Sequence, residues 1–228
     1  MIASNQPRPF QELFAMAAAR KGGVDAFEAT LTSPKTPADL AAIPDHRWLS
    51  AMSLRVFQAG FNWSVVSSKW PRFEEVFEGF DLGRMSMMSD DDLDLYLKTD
   101  GIIRHGKKLL SIRDNAVFLR GLAEEHGTAA QAFANWPVED YVGLLWMLKK
   151  RASRLGGSTA MYFLRGMGVD SFITSTDVGR ALIREGILDK PPTSKRDLDL
   201  TQAAFNHWHA ESGRPLNQIS RVLACSIE

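Results

Sequence analysis

Apolar residues recur along the chain three or four positions apart, the spacing that places side chains on one face of an α-helix. Alternating apolar and polar positions, which would indicate β-strands, are nearly absent. The sequence therefore predicts an all-α fold. The clearest apolar stripes lie within residues 10–18, 48–56, 109–123, 138–148 and 216–223.

Capping and stop signals predict several helix ends. We expect one helix to begin at Asp45 and to end at Gly60. Another is expected to begin after Ser89, where three acidic residues occupy the first turn. Pro137 is expected to open a helix, and Ser194 to cap one. Further helices are predicted to begin near residues 158, 176 and 215.

Composition limits the class of protein. The chain has 228 residues, enough for one domain or two intimate lobes. Lys and Arg together number 27, as do Asp and Glu, so a nucleic-acid surface would need local segregation of charge. The one cysteine, Cys225, excludes an internal disulfide and a zinc site built on two cysteines of this chain. Without a signal peptide pattern or a run of ~20 apolar residues, we expect a soluble, cytoplasmic monomer that does not bind membranes.

The segment from Arg55 to Trp63 has residue types that suit recognition of a flat ring. An indole such as that of Trp63 stacks on an extruded nucleic-acid base, and the amide of Gln58 could form hydrogen bonds with a base edge. The alternative is structural, because a tryptophan that follows the helix-breaking Gly60 often packs in a core. The residues alone leave both interpretations open.

Two further segments could contact phosphates. Arg104 and Lys107 lie in a glycine-bounded basic turn that opens a long helix, although such a turn could simply be solvated. Four cations precede Gly156, Gly157 and Ser158, where glycine backbones and a helix N-terminus would let amides approach a phosphate. A surface loop with a glycine C-cap is the alternative there.

The segments 58–63 and 100–105 resemble the 3-methyladenine DNA glycosylase I family, within the helix-hairpin-helix DNA glycosylases. The resemblance covers roughly residues 45–224 and is clearest from Gln58 to Asn115. It implies a helix-hairpin-helix glycosylase fold of two intimate helical lobes with a cleft between them. We therefore expect a single glycosylase-like domain over residues 1–228, with a divergent segment 1–44, a core 45–228 and a hairpin near 149–160.

The resemblance also implies a function. It indicates base-excision repair by a monofunctional glycosylase, which hydrolyses the N-glycosidic bond of an alkylated base such as 3-methyladenine, flipped out of double-stranded DNA. Trp63 and Gln58 would then hold the base. Many helix-hairpin-helix glycosylases place an Asp where this chain has Ser175, and Asp177 lies two residues further on. Asp177 is thus a candidate for water activation, or else the cap of the helix that follows.

Two departures from the family pattern leave alternatives open. The family's zinc site uses two cysteines and two histidines, so with Cys225 alone that site is expected to be missing and no cofactor is expected. Arg55 stands where the family has a glutamate that contacts the lesion. A second cation ~4 Å from a cationic base costs about 4 kcal/mol at an effective dielectric constant of ~20.

Three explanations of Arg55 follow. Arg55 turns away from the base, or the substrate is not a cationic lesion, or the protein is a catalytically degenerate DNA-binding or damage-sensing protein on a glycosylase scaffold. A helical interaction module without a DNA role is a further alternative, which the neutral net charge permits.

Overall fold

The computed structural model describes residues 7–228, and every regular element in that range is helical, which confirms the all-α prediction. Two short 3-10 helices, Glu78–Phe80 and Val138–Asp140, accompany the α-helices. The α-helices are α1 (Phe10–Arg20), α2 (Val24–Glu28), α3 (Pro37–Ala41), α4 (Asp45–Gln58), α5 (Trp63–Val76), α6 (Leu82–Ser86), α7 (Asp90–Lys98), α8 (Gly106–His126), α9 (Ala129–Ala134), α10 (Tyr141–Arg151), α11 (Ser158–Met167), α12 (Thr176–Arg184), α13 (Lys195–Ser212) and α14 (Leu216–Cys225).

The chain divides into two compact units. Among the described residues, the terminal unit consists of residues 7–34, 137–142 and 170–228, and the central unit consists of residues 35–136 and 143–169. The terminal unit therefore gathers both ends of the described chain, whereas the central unit contains α3–α9, most of α10 and α11. The prediction of one glycosylase-like domain over residues 1–228 stays a prediction.

In the terminal unit, α1 packs against α14. The apolar stripe of α1, which includes Phe10, Leu13 and Phe14, is buried, and so is that of α14. The apolar stripes predicted within residues 10–18 and 216–223 therefore cover each other. The contact is apolar, and the stabilisation that it gives the unit is roughly proportional to the apolar area removed from water.

Polar contacts join the two ends of the chain within the same unit. Arg214 of the α13–α14 connection donates to the carboxylate of Glu28, with one contact of 2.9 Å and a second, shorter one. The indole Nε1 of Trp208 donates to the carbonyl of Arg8 at 3.0 Å. Arg20 donates to the carbonyl of Ile227 at 3.2 Å.

In the central unit, α4 packs against α8 and α11. Trp48 of α4 is fully buried, stacked on Phe133 at 4.5 Å between ring centroids and edge-on to Phe163. This indole belongs to the core of the unit, so it does not supply an aromatic wall for a base pocket. The core of α4 instead fixes the helix whose last turn carries Arg55 and Gln58.

The helix ends agree with the capping signals at most positions. Ser89 and Ser194 each form a capping box, because each serine pairs with the third residue of its helix. The expectation for Pro137 was wrong in detail: a 3-10 helix follows it, and α10 begins only at Tyr141. The helix α5 was not predicted, because Pro71 within it interrupts the helical signal.

Candidate base pocket and hairpin

A pocket of about 290 Å³ opens in the central unit where α4 ends, α5 begins and α11 begins. Its wall combines aromatic rings, small residues, hydroxyl groups and one guanidinium. The lining residues are Arg55, Gln58, Ala59, Gly60, Phe61, Trp63, Ser158, Thr159 and Tyr162. All three residues predicted to form a base pocket, Arg55, Gln58 and Trp63, are therefore brought together.

The local sequence explains why the chain turns at this pocket. Helix α4 ends at Gln58, and Gly60 follows with φ of +79°, a backbone conformation that other residues rarely adopt. Asn62 then caps α5, because its side-chain oxygen accepts from the backbone amide of Ser64 at 2.9 Å. Trp63 is the first residue of α5, so helix capping fixes its position beside the turn.

Trp63 is 45% exposed, which rules out its alternative role as a core tryptophan. The ring of Tyr162, on α11, meets the indole edge-on at 5.1 Å. Tyr162 was missed at the level of sequence. Ser158, Thr159 and Tyr162 follow the helical spacing that places side chains on one face of α11, and this spacing could have indicated it.

The amide of Gln58 is nearly buried, with 4% of the residue exposed, and is fixed at both ends. Its Oε1 accepts a hydrogen bond from Nη1 of Arg55 at 2.8 Å, and its Nε2 donates to Oγ of Ser67 at 3.2 Å. One N–H and one lone pair of the amide remain for a ligand. Gln58 thus orients Arg55 in addition to its predicted contact with a base.

Arg55 lines the pocket rather than turning away from it. Its guanidinium carbon lies 5.2 Å from the centroid of the Trp63 ring, within the range of a cation–π contact. Gly166 of α11 leaves room for this conformation, because a Cβ there would lie 2.8 Å from Nη2 of Arg55. Burial lowers the pKa of Arg55 from its usual value, since the pocket wall removes water from the charge.

Lys108 supports the turn below the pocket and was not among the predicted site residues. Its ammonium donates to the carbonyls of Phe57 at 3.1 Å and Ala59 at 2.6 Å, which are the free carbonyls at the end of α4. The same ammonium lies 4.4 Å from the ring centroid of Phe61. Burial, and secondarily the charge of Arg154, lowers the pKa of Lys108. Its place beside Leu109 and near Ile112 of the buried stripe could have indicated this role.

The hairpin between α10 and α11 adjoins the pocket. Leu155 anchors it in the core, and buried Asn115 fixes its backbone by bonds to the amide and carbonyl of Ser153, at 2.7 and 3.1 Å. Gly157 has φ of +57° and is the N-cap of α11. Ser158, a predicted DNA contact, also lines the pocket, so one residue joins the hairpin to the pocket.

The cations of the hairpin differ in their surroundings. Arg151 pairs with Glu125, with one contact at 2.9 Å, and is therefore held by the protein. Lys149 lies over the Trp146 ring at 4.2 Å, and Lys150 and Arg154 are exposed. Exposed cations beside Gly156 and Gly157 leave a positively charged surface next to a helix N-terminus.

Part of the chain that contains the pocket is similar to known proteins. Residues 41–143 match the family model described as methyladenine glycosylase. This range contains α4, the Gly60 turn and Trp63 of α5. This match covers less than half of the chain. The resemblance inferred from the sequence is thus confirmed.

One relative and two solved structures extend the comparison. The chain is 37% identical over 59 residues to a DNA-3-methyladenine glycosylase of Haemophilus influenzae, a match that spans 26% of this chain and only about a third (32%) of that protein. A 3-methyladenine DNA glycosylase I of Staphylococcus aureus superposes with a TM-score of 0.50 and 19% identity, over 68% of this chain and 92% of that one.

A Methanocaldococcus jannaschii 8-oxoguanine glycosylase/lyase, solved with a 15mer DNA that contains 8-oxoguanine, superposes with a TM-score of 0.51 and 15% identity. This match covers 93% of this chain and 95% of that one. At such identities the two structural matches show the fold, and they confirm the helix-hairpin-helix glycosylase fold class.

The remaining predicted DNA contacts, Arg104 and Lys107, lie just before α8 and in its first turn. Arg104 donates from Nε to the carbonyl of Thr99 at 3.0 Å and pairs with Asp100, so part of its donor capacity is used within the turn. Lys107 is exposed in the first turn of α8. The assignment of both residues to DNA binding stays a prediction.

Asp177 lies in the terminal unit, outside the methyladenine glycosylase match. The N-cap of α12 is Ser175, whose Oγ accepts from the amide of Val178 at 3.3 Å. The alternative in which Asp177 caps this helix was therefore wrong, because Asp177 lies inside its first turn. Its role in water activation stays a prediction.

The chain's donor set does not suit a zinc site of two cysteines and two histidines, since the single Cys225 is buried in α14. Within residues 7–228, no group of three or more histidine, cysteine or acidic side chains is arranged to hold a metal. In the same range, none of the helices combines the length and apolar character that crossing a membrane requires.

Proposed function

We propose that this protein is a monofunctional DNA glycosylase, which binds a base flipped out of double-stranded DNA and hydrolyses its N-glycosidic bond. One observation carries the proposal. The pocket with the exposed indole of Trp63 shares Ser158 with the basic hairpin, so a site for a flat ring adjoins a site for a phosphate. An enzyme that acts on a base within DNA needs both sites side by side.

The pocket has the size and chemistry for a single base. Its volume of about 290 Å³ is near the lower end of small-molecule sites, which suits one ring system rather than a whole nucleotide. Trp63 offers a face for stacking, and Tyr162 bounds it at right angles. Gln58 and Arg55 are the proposed hydrogen-bonding partners of the base edge, and hydroxyl groups also line the pocket.

Known relatives support the same function. The Haemophilus influenzae relative carries the name DNA-3-methyladenine glycosylase, and the archaeal structure of the same fold was solved with DNA. For this chain, double-stranded DNA as partner and an alkylated base of the 3-methyladenine type as lesion are thus the first expectation. The protein would act as a monomer in the cytoplasm and without a cofactor.

Hydrolysis fits the site better than a lyase reaction. A lyase forms a Schiff base through a lysine amine, and none of the pocket-lining side chains in the described part of the chain is a lysine. The nearby ammonium of Lys108 is engaged with two backbone carbonyls. A water molecule is therefore the proposed nucleophile, with Asp177 as a candidate for its activation.

A second candidate function rests on Arg55. A pocket that presents a guanidinium where relatives of this kind are expected to present a carboxylate could bind DNA damage without excising it. A catalytically degenerate damage sensor would retain DNA binding that weakens steeply with salt, because released counterions contribute much of the affinity.

The test is the release of free bases from duplex DNA, followed by chromatography. The substrates are methylated DNA and duplexes with one deoxyinosine, one uracil or one 8-oxoguanine, so that charged and uncharged lesions are both represented. We expect wild-type protein to release a base from at least one substrate. The Trp63→Ala variant should lose this activity by about tenfold or more, because stacking on an aromatic side chain contributes about 1–3 kcal/mol per base.

The outcomes separate the two candidate functions. Release that depends on Trp63 supports the glycosylase. Salt-sensitive binding to damaged duplex without release of any base would contradict it and favour the sensor. Absence of both binding and release would overturn both proposals and favour a helical interaction module.

A further inference from the structure

We propose that the pocket selects an uncharged base whose edge presents two adjacent hydrogen-bond acceptors, as a 6-oxopurine does, and that Arg55 binds this edge. The inference rests on the proposed glycosylase function and names its substrate class. It departs from the first expectation, 3-methyladenine, which carries a positive charge in DNA.

The charge of the pocket indicates that the base it binds is uncharged. Among the described residues that line it, Arg55 is the only charged side chain and none is acidic. A cationic base in this space would meet a like charge without a carboxylate to compensate it. Like charges in a partly desolvated site repel more strongly than in water, so a cationic base is disfavoured and an uncharged one is not.

The conformation of Arg55 places its guanidinium where it can bind the edge of a stacked base. One of its five N–H groups is used by Gln58, and its guanidinium lies over the indole of Trp63. These two contacts hold the planar group close to the indole on which a base would stack. A base in plane with the guanidinium could therefore stack on Trp63 and accept hydrogen bonds at its edge.

The geometry of a guanidinium selects the kind of edge. Its parallel N–H groups match two neighbouring acceptors, and the N7 and O6 atoms of guanine form the most common pair of this kind in protein–DNA contacts. Hypoxanthine, the base of deoxyinosine, presents the same two acceptors. Paired guanine is protected, because extrusion costs least for a mismatched or damaged base.

The reaction gives Arg55 a role beyond binding. Hydrolysis breaks the bond between C1′ and N9, and its electron pair moves to the purine. The oxygen of water forms the new bond to C1′, and a proton from that water ends on the released base. An uncharged purine departs with developing negative charge, which a guanidinium at N7 and O6 would stabilise. A cationic base departs as a neutral molecule and would gain nothing from this contact.

The test compares two substrates across four proteins. Single-turnover release is measured from a duplex with one deoxyinosine and from methylated duplex that contains 3-methyladenine. The proteins are the wild type, Arg55→Glu, Arg55→Lys and Arg120→Glu. Arg120 is exposed on α8 and donates to Oγ of Ser86, so its substitution gives the same change in net charge outside the pocket.

We expect the wild type to release hypoxanthine faster than 3-methyladenine. Arg55→Glu should reverse this preference by about a hundredfold or more, because it removes the donors and introduces a partner for a cation. Arg55→Lys should release hypoxanthine about tenfold more slowly or worse, because lysine keeps the positive charge but lacks the two parallel N–H groups of the guanidinium. Arg120→Glu should keep the wild-type preference.

A second variant tests the position of the guanidinium without a change of charge. Gly166→Ala places a methyl group against Nη2 of Arg55, which lies 2.8 Å from a Cβ at that position. Gly166 is within α11, where alanine favours the helix, so the protein should remain folded. We expect a drop of about tenfold in hypoxanthine release, of the size seen when one good bidentate contact is lost.

The results distinguish this inference from the proposed function. Faster release of 3-methyladenine than of hypoxanthine by the wild type would overturn the substrate class and leave the glycosylase intact. An unchanged preference in Arg55→Glu would overturn the role of Arg55, and so would unchanged release of hypoxanthine by Gly166→Ala. If the wild type released no base from any duplex in the wider panel, the glycosylase proposal itself would fail.

Discussion

Two arginines, one in each unit, have similar aromatic surroundings and different partners. Arg214 of the terminal unit lies 5.4 Å from the ring of Phe14, and Arg55 of the central unit lies 5.2 Å from the ring of Trp63. Arg214 also pairs with the carboxylate of Glu28, and this hydrogen bond raises its pKa. Arg55 has a neutral amide as its partner, and burial lowers its pKa.

The difference separates a structural cation from one that is available to a ligand. The charge of Arg214 is compensated within the protein, and the buried Phe14 beside it belongs to the core. The charge of Arg55 is not compensated by any carboxylate among the described residues, and the aromatic ring beside it is half exposed. Partly desolvated charges without partners cost stability and are concentrated at functional sites.

The largest expected effect comes from truncation of the two aromatic rings. Phe14→Ala should lower the free energy of unfolding by about 3–5 kcal/mol, since it removes a buried ring that also contacts Phe27 at 5.5 Å. Trp63→Ala should change the free energy of unfolding by less than about 1 kcal/mol. The indole is half exposed, so its loss removes little buried apolar contact. Urea denaturation followed by circular dichroism measures both. Equal losses would contradict the division into structural and functional aromatic residues.

Lys108 provides the next test, because it is a buried cation with a structural role in the central unit. Lys108→Met should destabilise the protein by about 2–3 kcal/mol, since two charge-assisted hydrogen bonds to carbonyls at the end of α4 are lost. The neighbouring Lys107 is exposed, so Lys107→Met should stay within about 0.5 kcal/mol of the wild type. Urea denaturation midpoints measure both changes. A Lys108→Met variant as stable as the wild type would show that these hydrogen bonds do not hold the Gly60 turn.

The sequence predicted the elements better than the partners of side chains. Periodicity and capping signals place α4, α7 and α12 correctly, because these signals depend on neighbours within one helix. The motif from Gln58 to Trp63 indicated the pocket for the same reason. Local signals of this kind are contained in a few consecutive residues.

Contacts between distant segments carry no local signal. Tyr162 is about one hundred positions from Trp63, and Lys108 is 49 positions from the carbonyl of Ala59 that it binds. The direction of Arg55 also depends on a distant residue, since Gly166 provides the space. The family resemblance located the pocket, but only the structure shows that the guanidinium of Arg55 lines it.

Substitution of the two arginines should change the free energy of unfolding by smaller amounts, and in different directions. Arg214→Met should lower the free energy of unfolding by about 1–2 kcal/mol, because Glu28 loses its partner. Solvent limits the effect, since the two side chains are 30% and 37% exposed. Arg55→Met should be neutral or slightly stabilising, because it removes an uncompensated and partly desolvated charge. Calorimetric midpoints at low salt measure both, and a larger loss for Arg55→Met would reverse the comparison.

The smallest expected effect is a dependence on pH that arises from Glu28 in the terminal unit. The hydrogen bond from Arg214 holds the pKa of Glu28 below its usual value of 4.5. A carboxyl group with a lowered pKa in the folded state stabilises the protein above its unfolded pKa, and this stabilisation is lost as the pH falls through the folded value. Glu28→Gln should therefore be less stable than the wild type at pH 6 by less than about 1 kcal/mol, with a difference that shrinks below pH ~4.5.

Asp197 supplies the internal control for this titration. Hydrogen bonds from Ser194 and Thr193 lower its pKa to about 2, so its contribution should be lost at a lower pH than that of Glu28. Stability curves of the wild type and Glu28→Gln should therefore converge before the loss attributed to Asp197 is complete. Screening by 0.5 M salt should reduce the difference at pH 6, because the paired side chains are partly exposed. A difference that is unaffected by both pH and salt would mean that Glu28 acts through packing rather than through its charge.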